Sequence, residues 1–260
     1  MNIQNYVMAQ SLEEAYQLNQ NKRNRILGGM LWLKMSDINV PTAIDLSQLG
    51  LDTIEETEEE FSIGAMVTLR KLEQHTGLNV YTQNAVEKAV QSIVGVQFRN
   101  MATVGGSIFG RFGFSDVLTV FLAFDTYVEL YKGGVVPLET FVGMEKDRDI
   151  LVRLLVKKRP GRFAYLTMRN SRTDFPVIAC AVAQIQGEYR VAVGARPARA
   201  MLLRDVNGFL DGGVNETSAG VFADFVAENA PTGENIRGSA AYRTHLIRVL
   251  TERALLELEG

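Results

Sequence analysis

Two adjacent glycines, Gly105 and Gly106, lie within Gln97-Phe98-Arg99-Asn100-Met101-Ala102-Thr103-Val104-Gly105-Gly106-Ser107-Ile108-Phe109-Gly110-Arg111-Phe112-Gly113-Phe114-Ser115-Asp116, the segment that most limits how this chain can fold. Residues 98–104 lead in as a short alternating apolar run. The glycine pair then offers backbone with no Cβ to keep a ligand away, and N–H groups presented in this way can cradle a phosphate without a lysine. Ser115-Asp116 supplies an N-cap for the apolar segment Val117–Phe124, read as a buried helix. Glycine pairs occur at 28–29, 105–106, 133–134 and 212–213, and each alone reads as a turn. The pair at 105–106 gains meaning from a second segment of the same kind, Ile26-Leu27-Gly28-Gly29-Met30-Leu31-Trp32-Leu33, which also follows a polar run and enters an apolar one. By contrast Lys132-Gly133-Gly134-Val135, after the β-rich Tyr127–Tyr131, reads as a hairpin turn.

The chain has 260 residues, 47% of them apolar, enough for one large domain or two ordinary ones. A formal charge of −3 with both signs interspersed leaves no basic stripe to follow a nucleic-acid backbone, so nucleic acid is not an expected partner. The single cysteine, Cys180, lies in the apolar run Val177–Val182 and reads as a small core residue. One thiol can neither close an intramolecular disulfide nor ligate an iron–sulfur cluster. His75 and His245 lie far apart without metal-ligand spacing, and no metal site is expected. The first thirty residues show no secretory pattern, and no apolar run approaches the ~18–20 residues of a membrane span, so a cytoplasmic location is expected.

In chain order, Ser11-Leu12-Glu13-Glu14 is a capping-box pattern that opens a helix, followed by strands at Arg25–Leu27 and, beyond a break at Pro41, at Thr42–Leu46. Glu55–Glu60 holds five glutamates in six positions, which reads as a solvated loop at a subdomain boundary or a contact for a basic partner. Phe61–Gly64 reads as a strand, and Thr68–Glu73 and Ala85–Ile93 as helices. Pro160-Gly161 breaks the chain, placing a domain boundary between Lys157 and Gly161. Strands at Arg162–Met168, Val177–Gln184 and Tyr189–Val193 then precede helices at Thr217–Ala230 and Ser239–Leu258. On the last helix the apolar spacing from Tyr242 marks the core face, leaving Arg243, Arg248 and Arg253 for solvent or a partner.

The two glycine segments resemble the double-glycine motifs of the FAD-binding subunits of molybdenum hydroxylases, the xanthine dehydrogenase and carbon monoxide dehydrogenase flavoproteins. In that family an Ala-Gly-Gly-Thr-Asp-Leu type loop and a Thr-Ile-Gly-Gly-Asn loop clasp the FAD pyrophosphate, and a Ser-Asp pair closes the second segment. The first loop corresponds here to Leu27, Gly28, Gly29, Met30, Leu31 and Trp32. The second runs from Thr103 through Gly105, Gly106 and Ser107 to Ser115-Asp116. Asp149-Ile150-Leu151-Val152 matches the family's turn into the last strand of the flavin domain, where Leu151 stands at an apolar position near the flavin or simply in the core. Gly238-Ser239-Ala240-Ala241-Tyr242-Arg243 resembles the closing Arg-Gly-Ser-x-x-Tyr-Arg signature, with the helix capped at Ser239.

The resemblance implies an α+β fold. A two-subdomain FAD-binding domain of the xanthine dehydrogenase (PCMH) type would cover residues 1–158, with subdomains of about 1–54 and 55–158. A small α+β domain of the CO dehydrogenase flavoprotein type, a three-stranded sheet plus helices, would cover 159–260. It also implies one FAD, bound noncovalently since no histidine or cysteine lies near either glycine segment. Electrons would come from an iron–sulfur (2Fe-2S) subunit and a molybdopterin-binding large subunit and pass to NAD or another acceptor. Asp116 would cap its helix or hold an FAD hydroxyl, since it would repel the phosphates. The chain departs from the family pattern at three places: Met30 replaces a residue with a phosphate-binding hydroxyl or amide, Tyr165–Ser171 lacks the usual lysine and shifts the arginine, and Gly113 replaces a common proline. Arg111 is unusual and reads as a phosphate contact or a surface arginine. Competing readings are a self-sufficient flavin oxidoreductase on the same fold and a flavin-free assembly protein.

Overall fold

The computed structural model describes residues 1–259. Strand β1, Asn2–Met8, opens the chain at the edge of its sheet, and its amide-rich sequence carries no alternation that would announce it. Helix α1, Leu12–Asn19, starts at the expected cap, with the Ser11 hydroxyl accepting the Glu14 N–H at 3.1 Å. The Glu14 carboxylate reaches one residue further back than a capping box requires and accepts the Gln10 N–H. Strands β2 (Arg25–Ile26) and β3 (Asn39–Asp45) complete a parallel sheet in the order β1-β3-β2. The break expected at Pro41 does not occur: Pro41 stands inside β3. There β2 pairs only with Ala43 and Ile44, so β3 has a neighbour on one side alone and tolerates a missing N–H.

The glutamate run is a hairpin instead of a loop, with β4 (Ile54–Glu56) antiparallel to β5 (Glu60–Gly64) around Thr57. Lys157 and Lys158 lie alongside and form ion pairs with Glu60 and Glu56, which offsets the repulsion that argued against a strand. Four short helices follow: α2 (Leu69–Glu73), α3 (Thr76–Tyr81), α4 (Ala85–Val90) and α5 (Val96–Arg99). His75 caps α3, its Nδ1 accepting the Leu78 N–H at 3.1 Å. Residues 98–104 therefore form a helical turn and a cap, not an extended run. Helix α6 (Val104–Phe109) contains both glycines of the second segment, and α7 (Asp116–Ala123) is buried along its whole length. Strands β6 (Thr126–Leu130) and β7 (Gly134–Pro137) form the expected hairpin, with Gly134 at φ +69°. Helix α8 (Leu138–Gly143) leads to β8 (Leu151–Lys157), the centre of a five-stranded sheet ordered β4-β5-β8-β6-β7.

The second half builds an antiparallel sheet from β9 (Gly161–Arg169), β10 (Pro176–Ile185) and β11 (Glu188–Gly194), extended at one edge by the short β12 (Met201–Arg204). Helices α9 (Glu216–Asn229) and α10 (Ala240–Glu259) follow. Alternation along β10 serves two cores. Ala179, Ala181 and Ala183 join Phe163 and Tyr165 in the core that contains α4 and α7, while Cys180 and Val182 face α9 and α10. Cys180 is fully buried against Thr251, and burial pushes its thiol up to about 12. No helix among the described residues is long and apolar enough to cross a membrane.

On α10 Leu246 and Leu250 lie in the core as expected, but Tyr242 is 42% exposed while Arg243 is only 1% exposed and joins the buried face. The Arg243 guanidinium donates to the carbonyls of Val177 (3.0 Å), Gly233 (2.8 Å) and Gly238 (2.6 Å) and to the side-chain oxygen of Asn235 (2.7 Å). It thus pins the 233–238 turn over β10 and is unavailable to solvent or a partner. Arg248 is likewise engaged, by Asp224 and Glu252. Arg243→Met would strand several of these acceptors, each costing about 1–3 kcal/mol if left buried and unpaired. We expect the unfolding free energy to fall by roughly 3 kcal/mol, measurable by urea denaturation of the variant beside the wild type.

Candidate functional site

β2 runs directly into the first glycine loop. The Leu27 N–H still donates to Ile44 in β3 (2.9 Å), after which Gly29 and Met30 both adopt left-handed φ, +84° and +61°. A Cβ on Gly29 would lie 2.0 Å from the Met101 carbonyl oxygen, so only glycine fits. Met30 holds a conformation that costs a non-glycine residue on the order of 1 kcal/mol or more. On the facing side Thr103 caps α6 by accepting the Gly106 N–H at 3.1 Å. The two loops meet where side chains are missing. A Cβ on Gly28 would lie 3.1 Å from Thr103 Oγ1 and 3.3 Å from Gly106 Cα, and one on Gly106 would lie 3.1 Å from the Gly28 oxygen. Gly105 faces away from this junction, with Ala65 filling the space a side chain would need.

The two segments contribute unequally as anion donors. The α6 N-terminus is already satisfied: Val104 donates to Val67 (2.9 Å), Gly105 to Ala65 (2.8 Å), Gly106 to Thr103 Oγ1 (3.1 Å) and Ser107 to the Thr103 carbonyl (3.1 Å). Gly106 is helical, so its role is close approach and not a left-handed turn. In the first loop, among the described residues, no protein acceptor takes the backbone N–H of Gly28, Gly29, Met30, Leu31 or Trp32. Free backbone donors are therefore concentrated there, next to a backbone with two consecutive positive-φ residues, a geometry suited to an anion.

Two cavities open on either side of the junction and share Arg25, Ile26, Gly28, Thr103 and Gly106. The larger, about 500 Å³, is lined by Met30, Leu31, Ser107 and Asp116 together with Trp32, Phe98, Phe112, Phe114 and Phe175. Trp32 stacks on Phe175 with ring centroids 5.5 Å apart, and Phe114 lies 4.4 Å from Phe175. The smaller cavity, about 240 Å³, is lined by Leu27, Gly105, Phe109, Arg148 and Leu151. Leu151 is thus both a core residue of β8 and part of a cavity wall. Of the residues the family resemblance assigns to cofactor binding, only Gly29 lines neither cavity; it lies behind the loop against Met101.

Asp116 opens α7 and is 4% exposed. Its neighbour Ser115 is the cap, accepting the Leu118 N–H at 3.1 Å and donating to the Ser107 carbonyl at 2.8 Å. The Asp116 carboxylate accepts the Tyr165 hydroxyl at 2.5 Å and Arg169 Nη2 at 2.6 Å. Burial drives its pKa upward against the pull of Arg169 and Tyr165, and burial next to Asp116 raises the Tyr165 phenol well above its usual value. Tyr165 and Arg169 come from the run in which the sequence departs from the family pattern and from which no site residue is expected. Their one available signal is a spacing of four along a strand, which puts them on one face. Phe98, Phe112 and Phe114 lie inside the glycine segment, but only the fold gathers them with Trp32 and Phe175. Arg111 is neither a surface residue nor a wall of either cavity: it is 3% exposed, with its guanidinium carbon 3.9 Å from the centre of the Phe141 ring.

Gly106→Val should force the two loops apart, since its side chain meets the Gly28 carbonyl and the Thr103 hydroxyl. We expect FAD affinity to fall at least tenfold with the circular-dichroism spectrum retained. Gly134→Ala, whose Cβ meets nothing within 4 Å, should lose about 1 kcal/mol of stability to its left-handed φ and leave FAD affinity unchanged. Flavin-fluorescence titration and thermal melting of both variants check the contrast.

Comparison with known proteins places this geometry. Residues 1–158 match the family described as the FAD binding domain in molybdopterin dehydrogenase, and residues 163–258 match the CO dehydrogenase flavoprotein C-terminal domain. The chain is 26% identical to the uncharacterized protein YgfM of Escherichia coli K12, over 95% of this chain and 93% of that one. It is 24% identical to the alpha subunit of the 6-hydroxypseudooxynicotine dehydrogenase complex of Paenarthrobacter nicotinovorans, over 96% and 92%. Its fold superimposes on a chain of carbon monoxide dehydrogenase from Hydrogenophaga pseudoflava with a TM-score of 0.86 at 21% identity, covering 98% of this chain and 96% of that one. Quinoline 2-oxidoreductase from Pseudomonas putida 86 gives 0.84 at 20% identity, covering 99% and 96%. The chain belongs to the FAD-binding subunits of the molybdenum hydroxylases.

Proposed function

We propose that the protein binds one FAD noncovalently across the Gly28–Gly106 junction and serves as the electron-transfer subunit of a molybdenum-containing hydroxylase or dehydrogenase in the cytoplasm. The observation that carries this reading is the row of unclaimed N–H groups from Gly28 to Trp32, set where two cavities meet over a backbone contact that any Cβ would fill. A dinucleotide fits such a site: its pyrophosphate needs donors at the junction, and its two ends need a cavity each. Charge-assisted hydrogen bonds of this kind contribute roughly 1.5–3 kcal/mol each. Arg25, which lines both cavities, adds a positive charge beside the phosphates, and Met30 contributes only its backbone.

The larger, aromatic-walled cavity suits the flavin ring, with Trp32, Phe114 and Phe175 excluding water from it, and the smaller cavity suits the adenosine end, bounded by Leu27 and Leu151. FAD, when bound, supplies the redox chemistry, while the protein binds, orients and shields it. The lone buried cysteine cannot anchor iron–sulfur clusters, so the electrons come from an iron–sulfur subunit that draws on a molybdopterin-binding large subunit, and they leave to NAD or another acceptor. The same reading assigns cofactor binding chiefly to residues 1–158 and gives 159–260 a wall of the ring cavity.

The isolated protein should take up one FAD per chain and release it to the supernatant on acid precipitation; flavin retained in the pellet would show a covalent link. The loaded protein should reduce an artificial dye with NADH, and silence with NADH would move the acceptor toward a quinone or a ferredoxin. Adding a purine, nicotinate or an aldehyde should leave the flavin absorbance unchanged until the partner subunits are supplied. Direct bleaching by such a substrate, with the protein alone, would overturn the electron-transfer role in favour of a self-sufficient flavoenzyme.

A further inference from the structure

Arg169 lies at the end of β9 with its side chain 6% exposed, and it lines the larger cavity. Each terminal nitrogen is engaged once: Nη1 donates to the Asp174 carbonyl at 2.5 Å and Nη2 to Asp116 at 2.6 Å. Its Nε is buried and has no hydrogen-bond partner among the described residues. A guanidinium is a rigid planar fork, so two engaged Nη groups fix the direction of the third donor and prevent it from turning to a protein acceptor. A buried N–H of a cation left unmade carries a large desolvation penalty and calls for an acceptor that is not part of the chain.

We propose that Arg169 is a further cofactor-binding residue, donating its Nε–H to an acceptor atom of the flavin ring in the larger cavity. This rests on the FAD reading above. The flavin ring carries carbonyl and ring-nitrogen acceptors at one end, and that end gains electron density on reduction. The Asp116 carboxylate already balances the Arg169 charge, so the donor bonds the oxidised ring without a net positive charge and bonds the reduced ring more strongly. Arg169 therefore raises affinity for FAD and favours its reduced form. Nothing at the sequence level announces this, because Asp116, Arg169 and Asp174 meet only through the fold.

The test compares Asp116→Asn with the double variant Asp116→Asn/Arg169→Gln, so that no charge is left buried opposite a missing partner in the double variant. Relative to Asp116→Asn, we expect the double variant to bind FAD about ten- to a hundredfold more weakly, as loss of one charge-assisted hydrogen bond implies, and its flavin reduction potential to fall. In the wild type labelled with ¹⁵N-arginine, the Arg169 Nε–H resonance should shift and exchange more slowly with solvent when FAD is added. Equal affinity and potential in the two variants would overturn the proposal and leave the FAD reading standing. Weaker binding with an unchanged potential and an unmoved Nε–H resonance would also overturn it, reducing Arg169 to a support for the 170–175 loop. If the double variant does not fold, the wild-type Nε–H titration decides alone. A wild type that takes up no FAD at all would remove both readings together.

Discussion

The contact between Gly28 and Gly106 organises the molecule. Two backbones approach to a distance that a single Cβ would fill, and this approach brings the small parallel sheet at the N-terminus against the helical layer of the larger subdomain. The two partners then behave differently for a physical reason. The first turn of α6 donates its N–H groups to Val67, Ala65 and Thr103, and is thereby fixed to the segment after β5 as a rigid wall. The 28–32 loop has no such acceptors among the described residues, so its donors remain free. The paired glycine motifs are thus not two equivalent cradles: one is a packing device, and the other is the binding device of the function proposed above.

A second constraint closes the site from the other half of the chain. The sheet built around β10 is covered on both faces, by α4 and α7 on one side and by α9 and α10 on the other, so it cannot swing away without exposing a core. That placement brings Tyr165 and Arg169 to Asp116 and sets Phe175 against Trp32. A buried ion pair adds little net stability once desolvation is counted, so the value of the Asp116–Arg169 pair lies in holding groups at fixed positions around the cavity. Two regions that match separate families therefore enclose one cavity between them.

Much of this was legible in the sequence. The helices with clear caps at Ser11, Thr68, Ser115 and Ser239, and the strands with unbroken apolar runs, lie where their local chemistry puts them. What misled were local signals that a neighbour cancels. Repulsion within the glutamate run is relieved by Lys157 and Lys158 from a distant strand, and Pro41 is tolerated because β2 is too short to reach it. Arg111 and Arg243 read as surface cations because an isolated arginine prefers water; each is buried against partners that only the fold assembles, an aromatic ring for one and three carbonyls and an amide for the other.

The sequence by itself determined which backbone segments could come close together and carry unshielded N–H groups, because the absence of a Cβ is a property of the residue wherever it lies. It also determined the family, since the glycine segments, the Ser115-Asp116 pair and the closing Ser239 cap are local patterns in register along the chain. The tertiary structure alone decided which of those N–H groups remain free, since that depends on the carbonyls of Ala65 and Val67 arriving from elsewhere. It alone decided the cavity walls as well: Arg169 and Phe175 line the larger cavity beside Asp116 from more than 50 positions along the chain, and are brought there only by folding. Satisfaction of a hydrogen bond and enclosure of a volume are relations between distant residues, and one-dimensional spacing does not encode them.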